Sequence, residues 1–204
     1  GNENFNFRYI REFYGMTTTS AYGYLTSPRP VYSDFLGHYI GADYTAQPSE
    51  KLKIKPYFQY KKQKPWQTTD LEIASLVVSN FESERLKTGL SATYAFTDST
   101  ELQVGAERTD DKAKNGNYHS PYQATFSDGS DNAYYYTNSF YAQGFVDLGY
   151  VNVTLGARLD DHNKVGSSFV PRLGITHSDT TWHAKILAAG AFRAPTIMNI
   201  DRSE

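Results

Sequence analysis

The chain has 204 residues, and its 17 Tyr, 12 Phe and 2 Trp outnumber Leu, Ile and Val together, whereas a soluble core of this size normally leans on aliphatic side chains. A formal net charge of only −2 excludes a wholly disordered chain and argues against a nucleic-acid binder, which needs clustered Lys and Arg without matching acids. The absence of Cys excludes a disulfide framework, a thiolate metal site and a Cys nucleophile, and no apolar run is long enough for a membrane helix, which leaves a membrane β-barrel open.

In chain order, the period of two that marks a strand predicts β-structure over residues 5–13, 36–46, 51–60, 86–96, 101–107, 140–148, 150–160, 169–177 and 182–192. The clearest case is 150–160, where Val151, Val153, Leu155, Ala157 and Leu159 alternate with Asn152, Thr154, Gly156, Arg158 and Asp160. Residues 71–79 fit either a short helix or a further strand within a loop. Nine strands with no amphipathic helix of comparable strength give an all-β fold.

The connections alternate between tight and long. Tight turns fall near Gln47-Pro48-Ser49, Thr97-Asp98-Ser99, 147–150 and Ser178-Asp179-Thr180, and the segments between them are 14–35, 63–81, 112–133 and a shorter 161–168. A soluble sandwich, the competing architecture, has no reason to lengthen its loops at one end only. An outer-membrane barrel does, with short periplasmic turns and long extracellular loops. Phe96, Tyr150, Trp182 and Phe192 at strand ends match an interfacial aromatic girdle, although high β-propensity also places aromatics in strands.

Four landmarks follow one another in the last third of the chain: Tyr141-Ala142-Gln143, then Gly156-Ala157-Arg158-Leu159-Asp160-Asp161-His162, then Phe169-Val170-Pro171-Arg172-Leu173-Gly174, and Phe192-Arg193-Ala194-Pro195-Thr196. In order and spacing they resemble the mid-barrel region of TonB-dependent outer-membrane receptors. The resemblance implies an antiparallel barrel of 22 strands filled by a plug, a location in the bacterial outer membrane, a scarce small-molecule metal chelate as ligand and energy coupling to the TonB complex through the plug. An iron-siderophore complex is the default ligand, with cobalamin or haem next. Residues 1–204 are expected to be part of one such barrel, without its plug domain or C-terminal strands, because an odd, open set of strands leaves costly unpaired edges in hydrocarbon. The alternatives are a passive pore or adhesive barrel, and a soluble all-β binding module.

Within this frame the polar strand faces line the lumen, presenting Asp43, Lys53, Lys55, Lys87, Glu101, Glu107, Asp147, Arg158, Asp160, Arg172 and Lys185. Arg158, Asp160, Arg172 and Lys185 are taken as wall or plug contacts, the first three as a potential ion-pair ladder. Candidates for ligand contact on extracellular loops are Trp66, Tyr118, His119, Tyr122, Phe126 and the run Tyr134-Tyr135-Tyr136, whose flat rings suit large, partly apolar ligands. Tyrosines beside a strand also fit a plain upper girdle. Arg193 is carried over by resemblance as a rim residue. No cofactor is expected. The cluster Asp128-Gly129-Ser130-Asp131-Asn132 offers oxygens for Ca²⁺ but lacks the spacing and final Glu of an EF-hand loop, so a polar turn is the simpler reading. His177 and His183 flank one turn, two ligands short of a structural zinc site. No nucleophile elbow, HExxH, P-loop or dinucleotide motif occurs, so an enzyme is not expected.

Overall fold

The computed structural model of the chain describes residues 4–20, 29–73, 77–116, 126 and 130–191. Ten strands follow one another: β1 (Asn4–Ser20), β2 (Arg29–Ser49), β3 (Leu52–Asp70), β4 (Val77–Ser79), β5 (Phe81–Thr97), β6 (Thr100–Asn115), β7 (Asn132–Asp147), β8 (Val151–His162), β9 (Gly166–Ser178) and β10 (His183–Ala189). They form one antiparallel sheet in the order β1-β2-β3-β5-β6-β7-β8-β9-β10, with β4 paired only to β3. The ambiguous 71–79 segment therefore contributes a three-residue strand, and no helix occurs among the described residues. β1 and β10 are not paired to each other, so the sheet is open.

Register places every charged residue assigned above to a polar face on that face. One row runs Asp43, Tyr57, Gly89, Glu107, Ser139, Asp160 across β2, β3, β5, β6, β7 and β8. Two rows nearer the short turns run Lys53, Thr93, Gln103, Gln143, Gly156, Arg172. The opposite face carries large apolar side chains that nothing among the described residues covers: Phe5 is 67 % exposed, Leu155 64 % and Phe169 67 %. A sandwich would bury that face against a second sheet. Here there is one layer, and its buried side chains gather among the polar face and the long-connection end, as with Val31, Asp70, Ala113, Tyr135 and His162.

The strands are longer and the connections shorter than alternation alone indicates. β1 continues to Ser20, β2 starts at Arg29, β3 runs to Asp70 and β6 to Asn115. Beyond the apolar belt both faces are polar, as in Thr17-Thr18-Thr19, so the hydropathy period vanishes while the hydrogen-bond ladder goes on. At about 3.3 Å per residue, the 21 residues of β2 span about 70 Å, far more than a bilayer core of about 30 Å requires even at a 45° tilt. Between the pairs Asp34–Gln67 and Leu36–Lys64 the single residue Phe35 of β2 opposes two residues of β3, Pro65 and Trp66, so the bulge lies in β3, a place where the missing N–H of proline is tolerated.

Candidate functional site

The best-formed constellation lies on the polar face, and its centre is Glu107. Oε2 of Glu107 accepts the Tyr57 hydroxyl at 2.5 Å and faces Lys87 Nζ at 2.9 Å, while Oε1 faces Arg158 Nη2 at 3.0 Å. Arg158 also gives Nε to Asp160 Oδ1 at 2.8 Å and Nη2 to Ser139 Oγ at 2.8 Å, and the Ser139 hydroxyl donates to Asp160 Oδ1 at 2.5 Å. Two carboxylates and two cations from β5, β6 and β8 thus compensate one another, and each buried acceptor has its donors. The side chain of Glu107 is only 7 % exposed, a burial that a carboxylate tolerates only when paired and hydrogen-bonded.

Backbone pairing explains how the set assembles. Tyr57, Gly89, Glu107, Ser139 and Asp160 are consecutive register partners, and Arg158 joins Asp160 because residues two apart share a face. Tyr57 reaches Glu107 two strands away because Gly89, between them, has no side chain. Tyr141 likewise lies across its partner Gly105. Beside the network is an open cavity of about 210 Å³, lined by Tyr57, Gln103, Tyr141, Gln143, Arg158 and Arg172. Its polar lining can hydrogen-bond a protein segment or a polar solute, and no nucleophile and base are paired there for bond-breaking chemistry.

A family description reading TonB dependent receptor-like, beta-barrel, matches residues 1–202. The chain belongs to the TonB-dependent receptor β-barrel family. Members of this family are transporters rather than enzymes. Among solved structures it is similar to the siderophore receptor PirA of Acinetobacter baumannii, with 23 % identity over 80 % of this chain and 26 % of that one, at a TM-score of 0.63. It is also similar to a mutant of the ferric enterobactin receptor PfeA of Pseudomonas aeruginosa, with 17 % identity over 82 % of this chain and 26 % of that one, also at 0.63. At these identities the likeness shows the shared fold, and the chain spans about a quarter of the length of each receptor. No curated protein matches it.

On this receptor barrel the residues singled out from sequence fall in several places. Arg158 and Asp160 are bonded as expected, but Arg172 does not extend them into a ladder. It pairs with Gly156, two rows from Asp160 and so about 13 Å along the strands, and it makes no ion pair among the described residues; Glu107 completes the pair instead. Lys185 shares the polar face, opposite Thr176, and is exposed.

The three consecutive tyrosines are divided by the pleat. Tyr135 is buried on the polar face beside His162. Tyr134 and Tyr136 stand on the opposite face, where Arg108 grips Asp110 at 3.0 Å, lies 4.5 Å over the Tyr136 ring and bonds Asn138, and where the Tyr134 hydroxyl bonds Asp110. Phe126 is buried, its ring 6.2 Å from Phe81. Trp66 is part of β3, while Tyr118, His119, Tyr122 and Arg193 lie outside the described residues, as do Asp128 and Gly129 of the oxygen-rich cluster. His177 bonds Tyr150 O and Asp179, His183 bonds Ser178, and no group of three metal-ligating side chains gathers among the described residues. Tyr57 and Ser139 were not singled out from sequence, and Tyr141 was only as part of a family landmark; the available signal, Tyr facing Gly across neighbouring strands, appears only after register is assigned.

Proposed function

We propose that the chain is part of the transmembrane wall of an outer-membrane receptor that takes up a ferric siderophore with TonB-derived energy. The observation that carries this reading is the division of one sheet into two faces. The exposed apolar face suits lipid, and the other holds a compensated charge network beside a polar cavity, which suits a water-filled or plugged lumen. Arg158, Asp160, Arg172 and Lys185 then belong to the lumen wall, with Arg172 free to bond a plug. The names of the two similar receptors, one for a siderophore and one for ferric enterobactin, favour an iron chelate over cobalamin or haem.

The test is accumulation of radiolabelled iron from ferric siderophores by cells with and without the full-length receptor, in TonB-competent and TonB-deficient backgrounds. Uptake that needs both the receptor and TonB is the expected result. Receptor-dependent uptake that persists without TonB would mark a passive pore, and no receptor-dependent uptake of any siderophore would overturn the ligand assignment.

A further inference from the structure

The two rims of the apolar face differ. At the short-turn rim the side chains are aromatic: Tyr94 and Phe96 meet edge to face at 5.0 Å, and Tyr150 and Trp182 are largely exposed. At the other rim, on β3 to β7, the apolar face ends in charge. The row Leu90, Ala106, Phe140 is apolar throughout. The next rows bring Thr88, Arg108, Asn138, then Leu86, Asp110, Tyr136, then Lys62, Glu84, Lys112, Tyr134. Lys64, Glu82 and Lys114 lie one row further on.

This patch holds five cations, Lys62, Lys64, Arg108, Lys112 and Lys114, against three carboxylates. Lys62 and Lys64 bridge to Glu82 and Glu84 at 2.8–3.5 Å, and Arg108 binds Asp110. Lys112 and Lys114 are exposed and make no ion pair among the described residues. On β8 to β10 the face turns polar without a cation: Asp161 is already bonded to Ser167. The Lys62 row also runs back through His38 to the exposed Arg11 on β1, so the excess positive charge spans β1 to β7 and stops at β8.

We infer that this patch binds the headgroup of a phosphorylated glycolipid in the outer leaflet. The inference rests on the reading of the apolar face as lipid-facing. Arg108, two residues from Ala106, opens the patch directly above the first fully apolar row, and Lys112 and Lys114 follow four and six residues further along β6. Lys112 and Lys114 supply unmatched charge for phosphate. Exposed Tyr134, the Tyr136 ring and the Asp110 and Asn138 oxygens supply flat surface and hydrogen-bond partners for sugar hydroxyls. An ordinary phospholipid headgroup would use the charge but not the rings.

The test is native mass spectrometry of the full-length receptor in detergent, titrated with bisphosphorylated lipid A, the same glycolipid without phosphates, and phosphatidylglycerol. Tightest binding of the bisphosphorylated form is expected. Lys112→Gln with Lys114→Gln should weaken it about 25-fold, roughly fivefold per charge removed near a membrane surface, and Lys53→Gln on the opposite face should leave it unchanged. Equal binding by the double variant, equal binding of phosphatidylglycerol, or no binding of the glycolipid would overturn the inference. Separately, quenching by brominated phospholipid of the fluorescence that distinguishes the full-length receptor from its Trp182→Phe variant reports whether the apolar face meets lipid. Quenching without glycolipid binding sinks the patch alone, and no quenching removes the lipid-facing reading with it.

Discussion

The ring of Tyr57 lies across Gly89, its register partner on β5, and a β-carbon at Gly89 would collide with the phenol. That contact sets the reach of the Tyr57 hydroxyl to Glu107, 2.5 Å away on the far side of Gly89. The glycine is weak in a strand by propensity, and the overlying ring covers its exposed backbone. Gly89→Ala should push the ring aside, break the bond to Glu107 and cost about 1–3 kcal/mol as an overpacking change. Denaturant unfolding of the receptor in detergent measures it, and Tyr57→Ala with Gly89→Ala should cost less than the sum of the two single changes.

Glu107 and Arg172 face the same cavity but differ in their partners. Glu107→Gln leaves Lys87 and Arg158 short of a counter-charge and should cost about 2–4 kcal/mol. Arg172→Gln removes no ion pair within the described sheet and should stay within about 0.5 kcal/mol. The same unfolding experiment ranks the two, and equal costs would mean that the Glu107 network contributes no special stability.

Two turns depend on the left-handed backbone. Gly149 (φ 84°) lies between β7 and β8, where its N–H bonds Asp147 Oδ1 at 2.7 Å, and Gly166 (φ 81°) opens β9. Neither has an atom near the site of an added β-carbon, so Gly149→Ala tests conformation alone. A loss of about 1 kcal/mol is expected, from the αL cost for an L-residue. Gly144→Ala, in regular strand with only a 3.9 Å neighbour, should be neutral or slightly stabilising.

The turn between β9 and β10 should be acid-sensitive. Backbone N–H groups of Thr181 and Trp182 donate to Asp179 Oδ1 at 2.6 and 2.9 Å, and these bonds, with a smaller contribution from His177, hold the carboxyl below its ordinary pKa. A lowered folded-state pKa means that the stabilisation is fully present above the unfolded value, about 3.9, and is lost as pH falls through the folded value. Trp182, its ring centroid 4.2 Å from that of His177, reports the turn through the part of the fluorescence that a Trp182→Phe variant loses. Between pH 5 and pH 2 the signal should change in the parent chain, whereas Asp179→Asn, which keeps the Oδ1 acceptor without the titrating charge, should remove that transition.

Alternation in the sequence by itself determined which residues face together, from Asp43 through Lys185, because a period of two leaves no freedom once a strand is paired. It also located three of the four tight turns, the first falling instead at 50–51 because Gln47-Pro48-Ser49 still belongs to β2, and the side of the sheet where connections are long. It did not determine where strands stop, since polar residues on both faces, as in Thr17 to Thr19, carry no period although the ladder holds them. Nor did it separate Tyr135 from Tyr134 and Tyr136, because which face each enters depends on the register of β7 against β6 and β8. Beyond the Arg158–Asp160 pair, the Glu107 network belongs to tertiary structure: its cross-strand contacts join residues 19 to 51 apart in sequence and form only because five strands align Tyr57, Gly89, Glu107, Ser139 and Asp160 in one row. The aromatic excess follows the same division. Composition shows that the rings are there, and pairing decides which of them meet the exposed belt, cover a glycine or support an arginine.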